Sequence, residues 1–400
     1  MSVTAPLGFV ATGLASGIKP GGLPDLALVV AASRGPVPAA GVFTANRFAA
    51  APVQVSRAHL AGGRATAVIL NSGNANAATG GPGLAVAERT CELVAEALGP
   101  DATAADVLVC STGRIGMPLS IGPIASGIPG LVSSLRPGPD GGRAAAEAIL
   151  TTDTVSKEAR ASFETSGVTV TVGGMAKGAG MLCPSMATML AVITTDATVE
   201  AEPLYLALAA AVEVSFNTVS IDGCMSTNDT VLVLAGGAAG AAPLAPGSPG
   251  WEAFTEALGA VCGSLAEQIV EDAEGATKLI RVVVRGARSD SDARLAARAV
   301  ANSPLVKCAF FGELPYWGRV ASELGASGAD VDPGLVEISY DGIVVCSGGV
   351  AAAHDAESVG KVLRKRRIEL TCDLGRGTDE AVVLTSDLTF GYVDENRTGS

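Results

Sequence analysis

The sequence predicts a mixed α+β fold in which antiparallel strands and helices fall in separate groups. Three observations carry this reading. Short β-rich runs separated by turns crowd the first third. Farther on, apolar residues recur every three or four positions, the spacing of an amphipathic helix. The last part holds three alternating runs, "LVEISYDGIVV", "RIELTCDLG" and "EAVVLTSDL", which read as three strands.

Taken in order, "DLALVV" from Asp25, "AGVFTAN" from Ala40, "PVQVS" from Pro52 and "ATAVILNSG" from Ala65 read as the first β-rich runs. Leu84, Ala87, Cys91, Val94 and Leu98 then define a helix, with Glu88, Arg89, Glu92 and Glu96 on its other faces, and Gly99-Pro100 stops it. "DVLVC" at 106–110 is a buried strand ending in "STG". "GVTVTVGG" from Gly167 is a strand feeding "GGMAKGAG", a glycine-rich loop with one lysine. A further strand reaches Thr194, followed by a helix over 202–216, "TVSIDG", the strand "DTVLVLAG" and a long helix over 251–273. "LIRVVVRGA" is a strand, and "DSDARLAARAVAN" from Asp290 opens with a helix cap. The segment 237–250, rich in Gly, Ala and Pro, reads as a surface loop rather than a linker, and "KVLRKRR" at 361–367 as a solvated helix face.

Composition narrows the function. A chain of 400 residues buries a sizeable core, and with aromatics at 4% that core is packed by Val, Leu, Ile and Ala. The most apolar stretch, "TVLVLAGGAAGAAPLAPG" from Thr230, is broken by glycine and proline, so no membrane span is expected. A net charge of −13 argues against nucleic acid as a partner. The eight cysteines are scattered singly, with no C-x-x-C and no signal peptide, which leads to the expectation of a reducing cytoplasm. The two histidines, His59 and His354, lie in unremarkable surroundings, so neither a metal site nor a Ser-His-Asp triad is expected.

Acid–base chemistry must then come from elsewhere. Thr188 is a lone hydroxyl in "CPSMATMLAVITTDA", between the lysine loop and an apolar run. If the Ala187–Thr188 peptide bond is cut, the α-amine of Thr188, with an ordinary pKa of about 7.7–8.0, becomes a base for its own Oγ. The cut can be self-made: Oγ attacks the preceding carbonyl, the acyl group moves from nitrogen to oxygen, and water releases the ester. The competing reading is a β-branched residue in its preferred place beside a strand.

The segment "GGMAKGAGMLCPSMATMLAVITTDA" closely resembles the signature of the ornithine acetyltransferase family, the bifunctional glutamate N-acetyltransferases of arginine biosynthesis. The resemblance continues in order through "ILNSGNANAATG" (69–80), "CSTGRIG" (110–116), "ILTTDT" (149–154), "SIDGCMSTNDTV" (220–231) and "EDAEGATKLI" (271–280). "NSPLVKCAFFGELPYWGRV" (302–320) and "GYVDENRTGS" (391–400) carry it to the end of the sequence. It implies a layered α/β/β/α sandwich shared by two self-cleaved chains, 1–187 and 188–400, intertwined in one catalytic unit and paired as an α2β2 heterotetramer. It implies Thr188 as nucleophile, Thr112 and Gly113 as oxyanion hole, and Ala187 and Thr188 as the cleavage pair. Substrate contacts would be Thr151 (with Thr152 the competing choice), Lys177, Thr188, Glu274, Asn396 and Ser400. The implied reaction moves an acetyl group from N2-acetylornithine to glutamate with no cofactor, and some members also take acetyl-CoA as co-substrate.

The sequence departs from the family pattern at Leu314 and Tyr316, where an acid and an amide are usual, and at Arg114, where an apolar residue is usual beside the oxyanion pair. Ala78 replaces a common Cys, and the tail after Asn396 is one residue short, which loosens the Ser400 assignment. These departures leave open a diverged copy acting on a related acyl-amino acid in a specialised pathway. A self-cleaving amidase or aminopeptidase shares the same threonine chemistry, and a non-catalytic small-molecule binding protein is the reading of another class.

Overall fold

Two sheets stacked face to face form the centre of the molecule, seen in a computed structural model that describes residues 2–183 and 189–397. The first runs Phe9–Leu14, Leu26–Ala31, Ala67–Asn74, Val107–Arg114; the second runs Arg64–Ala65, Val37–Phe43, Thr230–Ala235, Leu190–Thr195, Val168–Lys177, Lys157–Thr165. Strand alternation explains the stacking, because successive side chains point to opposite faces. Ala27, Val29, Val68 and Leu70 of the first sheet pack against Met175, Leu190, Val192 and Leu232 of the second. Their neighbours Leu26, Leu28, Val30 and Ile69 face the other way, onto the helices Ala51–His59, Gly80–Leu98 and Ile121–Ser134. On the far side, Val170, Val172, Ile193, Val231 and Val233 pack against Ala201–Glu213 and Trp251–Glu271. The result is the expected helix–sheet–sheet–helix sandwich.

A third sheet, Val219–Ser220, Asp379–Ser386, Leu279–Ala287, Arg367–Asp373, Glu337–Tyr340, Ile343–Ser347, Val350–Ala351, has a core of its own. Ile280, Val282, Leu370 and Cys372 there pack with Ala293, Ala297 and Val300 of the helix Asp290–Asn302. The sequence pattern shows its strands but not that they form a separate unit.

Several readings need correction. "PVQVS" is not a strand: it lies in the helix Ala51–His59, where Pro52 occupies the first turn, the position at which proline fits a helix. Periodicity cannot separate so short an apolar run from a strand. The helix is held by Ser56, whose Oγ donates to the Val109 carbonyl at 2.7 Å and accepts the Val109 N–H at 2.8 Å. "LVEISYDGIVV" is a hairpin of two strands rather than one, turned at Asp341-Gly342, where both residues have positive φ (45° and 81°). "KVLRKRR" is only partly a solvated helix face. Lys361 pairs with Glu357 on Ala356–Leu363, but Arg367 opens the strand Arg367–Asp373 and bonds Glu267 and Glu271 of the long helix.

The expected 187/188 boundary falls between two neighbouring antiparallel strands, Val168–Lys177 and Leu190–Thr195. A cut there leaves both pieces holding the same sheet. Ala187 and Thr188 themselves, and Ser400, lie outside the described residues.

Candidate active site

At the ends of two parallel strands of the first sheet, Gly73 pairs with Gly113 and Ser72 with Thr112. Gly113 has a φ of 131°, and a Cβ there would stand 2.4 Å from the Gly73 carbonyl carbon. Only glycine fits, and its backbone is held against the neighbouring strand. Thr112 is buried, while Gly113 opens onto a cavity of about 550 Å³ that Lys19, Arg114, Thr151 and Thr152 also line.

The second sheet brings the charged groups. Lys177 ends the strand Val168–Lys177 and pairs across the sheet with Leu190, two residues beyond Thr188. Its side chain is 3% exposed, and its ammonium donates to Thr151 Oγ1 at 2.6 Å, with Asp153 at 3.3 Å. Asp153 also accepts Lys157 Nζ and the Gly178 N–H, both at 2.7 Å. Burial alone would raise the Asp153 pKa, but Lys177, Lys157 and these hydrogen bonds outweigh it and hold the carboxyl well below the usual range. Lys157, fully buried, bridges on to Asp272 at 2.6 Å.

The loop after the long helix carries Glu274. Its Oε1 accepts the Thr152 hydroxyl and its Oε2 the Asn396 amide, each at 2.7 Å. Asn396 reaches it because the final helix, Phe390–Arg397, docks on Gly275: a Cβ on that glycine would lie 2.4 Å from Gly391 backbone, and Thr389 Oγ1 donates to the Gly275 carbonyl at 2.7 Å. Thr151 and Thr152 thus take different partners, Thr151 bonding Lys177 and Thr152 bonding Glu274. Of the sequence-chosen residues, Lys177 bonds Thr151 and Asn396 bonds Glu274, and the adjacent Thr151 and Thr152 bring the two pairs side by side. Gly113 shares the cavity with the two threonines, with Thr112 beside it on the strand.

The structure adds residues that sequence reasoning missed. Asn228 Nδ2 donates to the carbonyls of Ala75 (2.6 Å) and Ser111 (2.8 Å), the latter just before Thr112. Its neighbour Asp229 accepts the N–H of Met189, the residue after Thr188, at 3.0 Å, and the Met189 carbonyl accepts the Thr230 N–H at 3.1 Å. One dipeptide therefore ties the strand Val107–Arg114 to the segment that opens the strand Leu190–Thr195. Asp229 is buried deeply enough to push its pKa well above the usual carboxylate value, against the opposing pull of the Met189 N–H, Ser226 and Lys177. The "STNDTV" block was legible as a motif, but nothing in its pattern gives these partners.

Lys19 was also missed. Its loop is clamped by Asp25, which accepts the backbone N–H groups of Ser16, Gly17, Ile18 and Lys19 at 2.7–3.0 Å. Lys19 Nζ donates to the carbonyls of Pro24 (2.9 Å) and Leu150 (2.5 Å), the latter just before Thr151. At the departures from the family pattern, Tyr316 caps no helix N–H with its side chain, and its ring instead lies under the Arg319 guanidinium at 5.2 Å.

Fold and site together define an enzyme of the four-layer sandwich class, with a strand-end glycine and two threonines lining one cavity and the buried Lys177 bonded to one of those threonines. The ArgJ family model matches residues 10–398, and the chain belongs to the ArgJ family. It is 48% identical over 396 residues to the arginine biosynthesis bifunctional protein ArgJ of Symbiobacterium thermophilum, covering 98% of this chain and 97% of that one. A crystal structure of the arginine biosynthesis bifunctional protein argJ of Bacillus halodurans is 35% identical, with a TM-score of 0.50, over 51% of this chain and 96% of the solved one. A chain of the ornithine acetyltransferase of Mycobacterium tuberculosis, solved with ornithine, is 45% identical with a TM-score of 0.42, over 46% of this chain and 95% of that one. Among the described residues no helix is long and apolar enough to cross a membrane.

Proposed function

We propose that this chain is a self-cleaving glutamate N-acetyltransferase that carries acetyl from N2-acetylornithine to glutamate through an acetyl-threonine at Thr188. The observation that carries the proposal is that Gly113, Thr151 and Thr152 line one cavity, with Lys177 bonded to Thr151 and the Glu274–Asn396 pair bonded to Thr152 behind it, in a member of the ArgJ family.

After cleavage, the neutral α-amine of Thr188 takes the proton from Oγ, and Oγ attacks the acetyl carbonyl. The Thr112 hydroxyl and the Gly113 N–H stabilise the oxyanion; one such donor is worth roughly 3–4 kcal/mol in kcat. The C–N bond to ornithine breaks, and the ammonium of Thr188 returns its proton to the leaving amine. The amine of glutamate then attacks the ester, forming the new amide and freeing Oγ. Lys177 holds the substrate α-carboxylate or, by like charge, lowers the pKa of the Thr188 amine. The Glu274 carboxylate suits the side-chain ammonium of ornithine, with Asn396 and Thr152 holding it. Met189, anchored by Asp229 and Thr230, gives the nucleophile a fixed base on the sheet. The solved relative from Bacillus halodurans corresponds, over nearly all its length, to about half of this chain, which supports processing into two pieces, 1–187 and 188–400. Assembly as α2β2, a cytoplasmic setting, acetyl-CoA as a second donor and Ser400 as a further contact belong to the same proposal.

A denaturing gel should show two fragments of similar size, one beginning Thr-Met-Leu. Thr188→Ala should stay uncut and inactive; an intact wild-type band that turns over normally would end the threonine mechanism. Glutamate should raise ornithine release from N2-acetylornithine. Release that ignores glutamate would mean that water is the acceptor and the enzyme an amidase.

A further inference from the structure

The proposed reaction serves two amino acids of opposite side-chain charge at one nucleophile. Glu274 matches the ammonium of ornithine, but it opposes the second carboxylate of glutamate. An acceptor bound in the same cavity needs a cation elsewhere.

The cavity supplies two. Lys19 and Arg114 both line it, and none of its lining residues is acidic, in a chain whose net charge is −13. The position of Lys19 is built rather than incidental. The four backbone N–H groups clamped by Asp25 fix its loop. Its stem passes so close to Gly73 that a Cβ there would stand 2.9 Å from Lys19 Cγ, and Gly73 is the ladder partner of Gly113. An ammonium has three donors, and the Pro24 and Leu150 carbonyls take two, which leaves one for a ligand in the cavity. Arg114 follows Gly113 directly and is exposed at the cavity rim. Ile18, Leu23, Met117 and Pro118 add apolar wall, and the other polar side chains of the lining, Asn74, Ser120, Thr151 and Thr152, are neutral, so Lys19 and Arg114 are its two cations among the described residues.

We propose that Lys19 and Arg114 form the acceptor subsite, binding the side-chain carboxylate of glutamate and selecting an acidic acceptor over its neutral amide. This rests on the acetyl-transfer reading above. Lys19 supplies the fixed contact, and Arg114, exposed on the rim, sharpens the preference.

The test is steady-state kinetics with N2-acetylornithine as donor and glutamate or glutamine as acceptor, on wild type, Lys19→Met, Lys19→Arg and Arg114→Val. A lost charge-assisted hydrogen bond predicts a glutamate KM raised on the order of ten- to a hundredfold in Lys19→Met, with a smaller rise in Arg114→Val. The glutamate-to-glutamine ratio of kcat/KM should fall in both and recover in Lys19→Arg. Arg114 is a rim residue, so its variant remains informative if Lys19→Met fails to fold. An unchanged ratio in Arg114→Val and in folded Lys19→Met, on an active wild type, overturns the subsite and leaves the transferase reading standing. A Lys19→Met that slows the ornithine burst as much as the acceptor step marks a structural role and overturns it too. A wild type that releases ornithine yet acetylates neither acceptor overturns the transferase reading, and the subsite with it.

Discussion

Two sets of ion pairs in this molecule look alike on paper and differ in what surrounds them. In the sandwich, Lys157 and Asp153 meet at 2.7 Å with both side chains fully buried, and Lys177 and Asp272 extend the cluster. On the seven-stranded sheet, Arg281 meets Glu369 at the same 2.7 Å, but with side chains 43% and 46% exposed. Burying charges costs several kcal/mol per ion even when they are well paired, so a buried cluster is a poor way to gain stability. The first set sits where the lysine proposed to hold substrate must be aimed, and the second lies on an open strand face. Equal distances therefore carry different meanings: the buried cluster fixes the position of Lys177, and the exposed pair lies on the open face of another sheet.

The largest break in this comparison is Asp153→Ala. It removes a carboxylate that serves Lys157, Lys177 and the Gly178 N–H at once. Breaking one partner of a buried pair costs about 3–5 kcal/mol. Chemical denaturation should report a loss of that order, and transfer activity should vanish because Lys177 loses its fixed position. A variant of near wild-type stability and activity would show that the cluster neither arranges the site nor strains the fold.

Asp229 gives the next effect, with a pH signature. Burial raises its pKa in the folded protein, whereas the unfolded chain titrates near about 3.9. A raised folded value means that the native state keeps the proton longer. The stabilising contribution is therefore complete below about pH 4 and drains away as the pH climbs through the folded value. Asp229→Asn does not titrate and still offers an oxygen to the Met189 N–H. On an uncut Thr188→Ala background, the protein that keeps Asp229 should lose melting temperature relative to the one carrying Asp229→Asn as the pH rises from about 4. A difference that stays flat would mean that Asp229 ionises in the fold as it does in water.

The same contrast explains what the sequence could disclose. Most sandwich strands were legible as apolar runs, but Phe9–Leu14 and the half-exposed Lys157–Thr165 were not, and ordered motifs pointed to Thr112, Lys177, Glu274 and Asn396. Contacts made by single polar residues across long separations were not legible. Lys19 sits in a plain turn, and only the Asp25 clamp and the neighbouring Gly73 bring it to the cavity. Asn228 links Ser111 to the start of its own strand across 117 positions, which no local pattern encodes. "PVQVS" failed for a different reason: its valines favour a strand locally, and packing under Val109 decides otherwise. Elements interrupted by small residues were also missed, as in Ile121–Ser134, where Pro129 and three glycines blur the helical period.

The smallest effect sharpens the comparison from the other side. Arg281 and Glu369 face each other across the parallel pair Leu279–Ala287 and Arg367–Asp373, in the same open row as Arg285 and Asp373. Water screens both charges, and two long side chains lose freedom to meet, so such a pair contributes about 0.2–1 kcal/mol. A double-mutant cycle of Arg281→Ala and Glu369→Ala should give a coupling within that range, shrinking further in high salt. Activity should not change, since neither residue lines the cavity. A coupling of several kcal/mol would place this open sheet face in the same class as the Asp153 cluster, and burial would no longer be what separates the two.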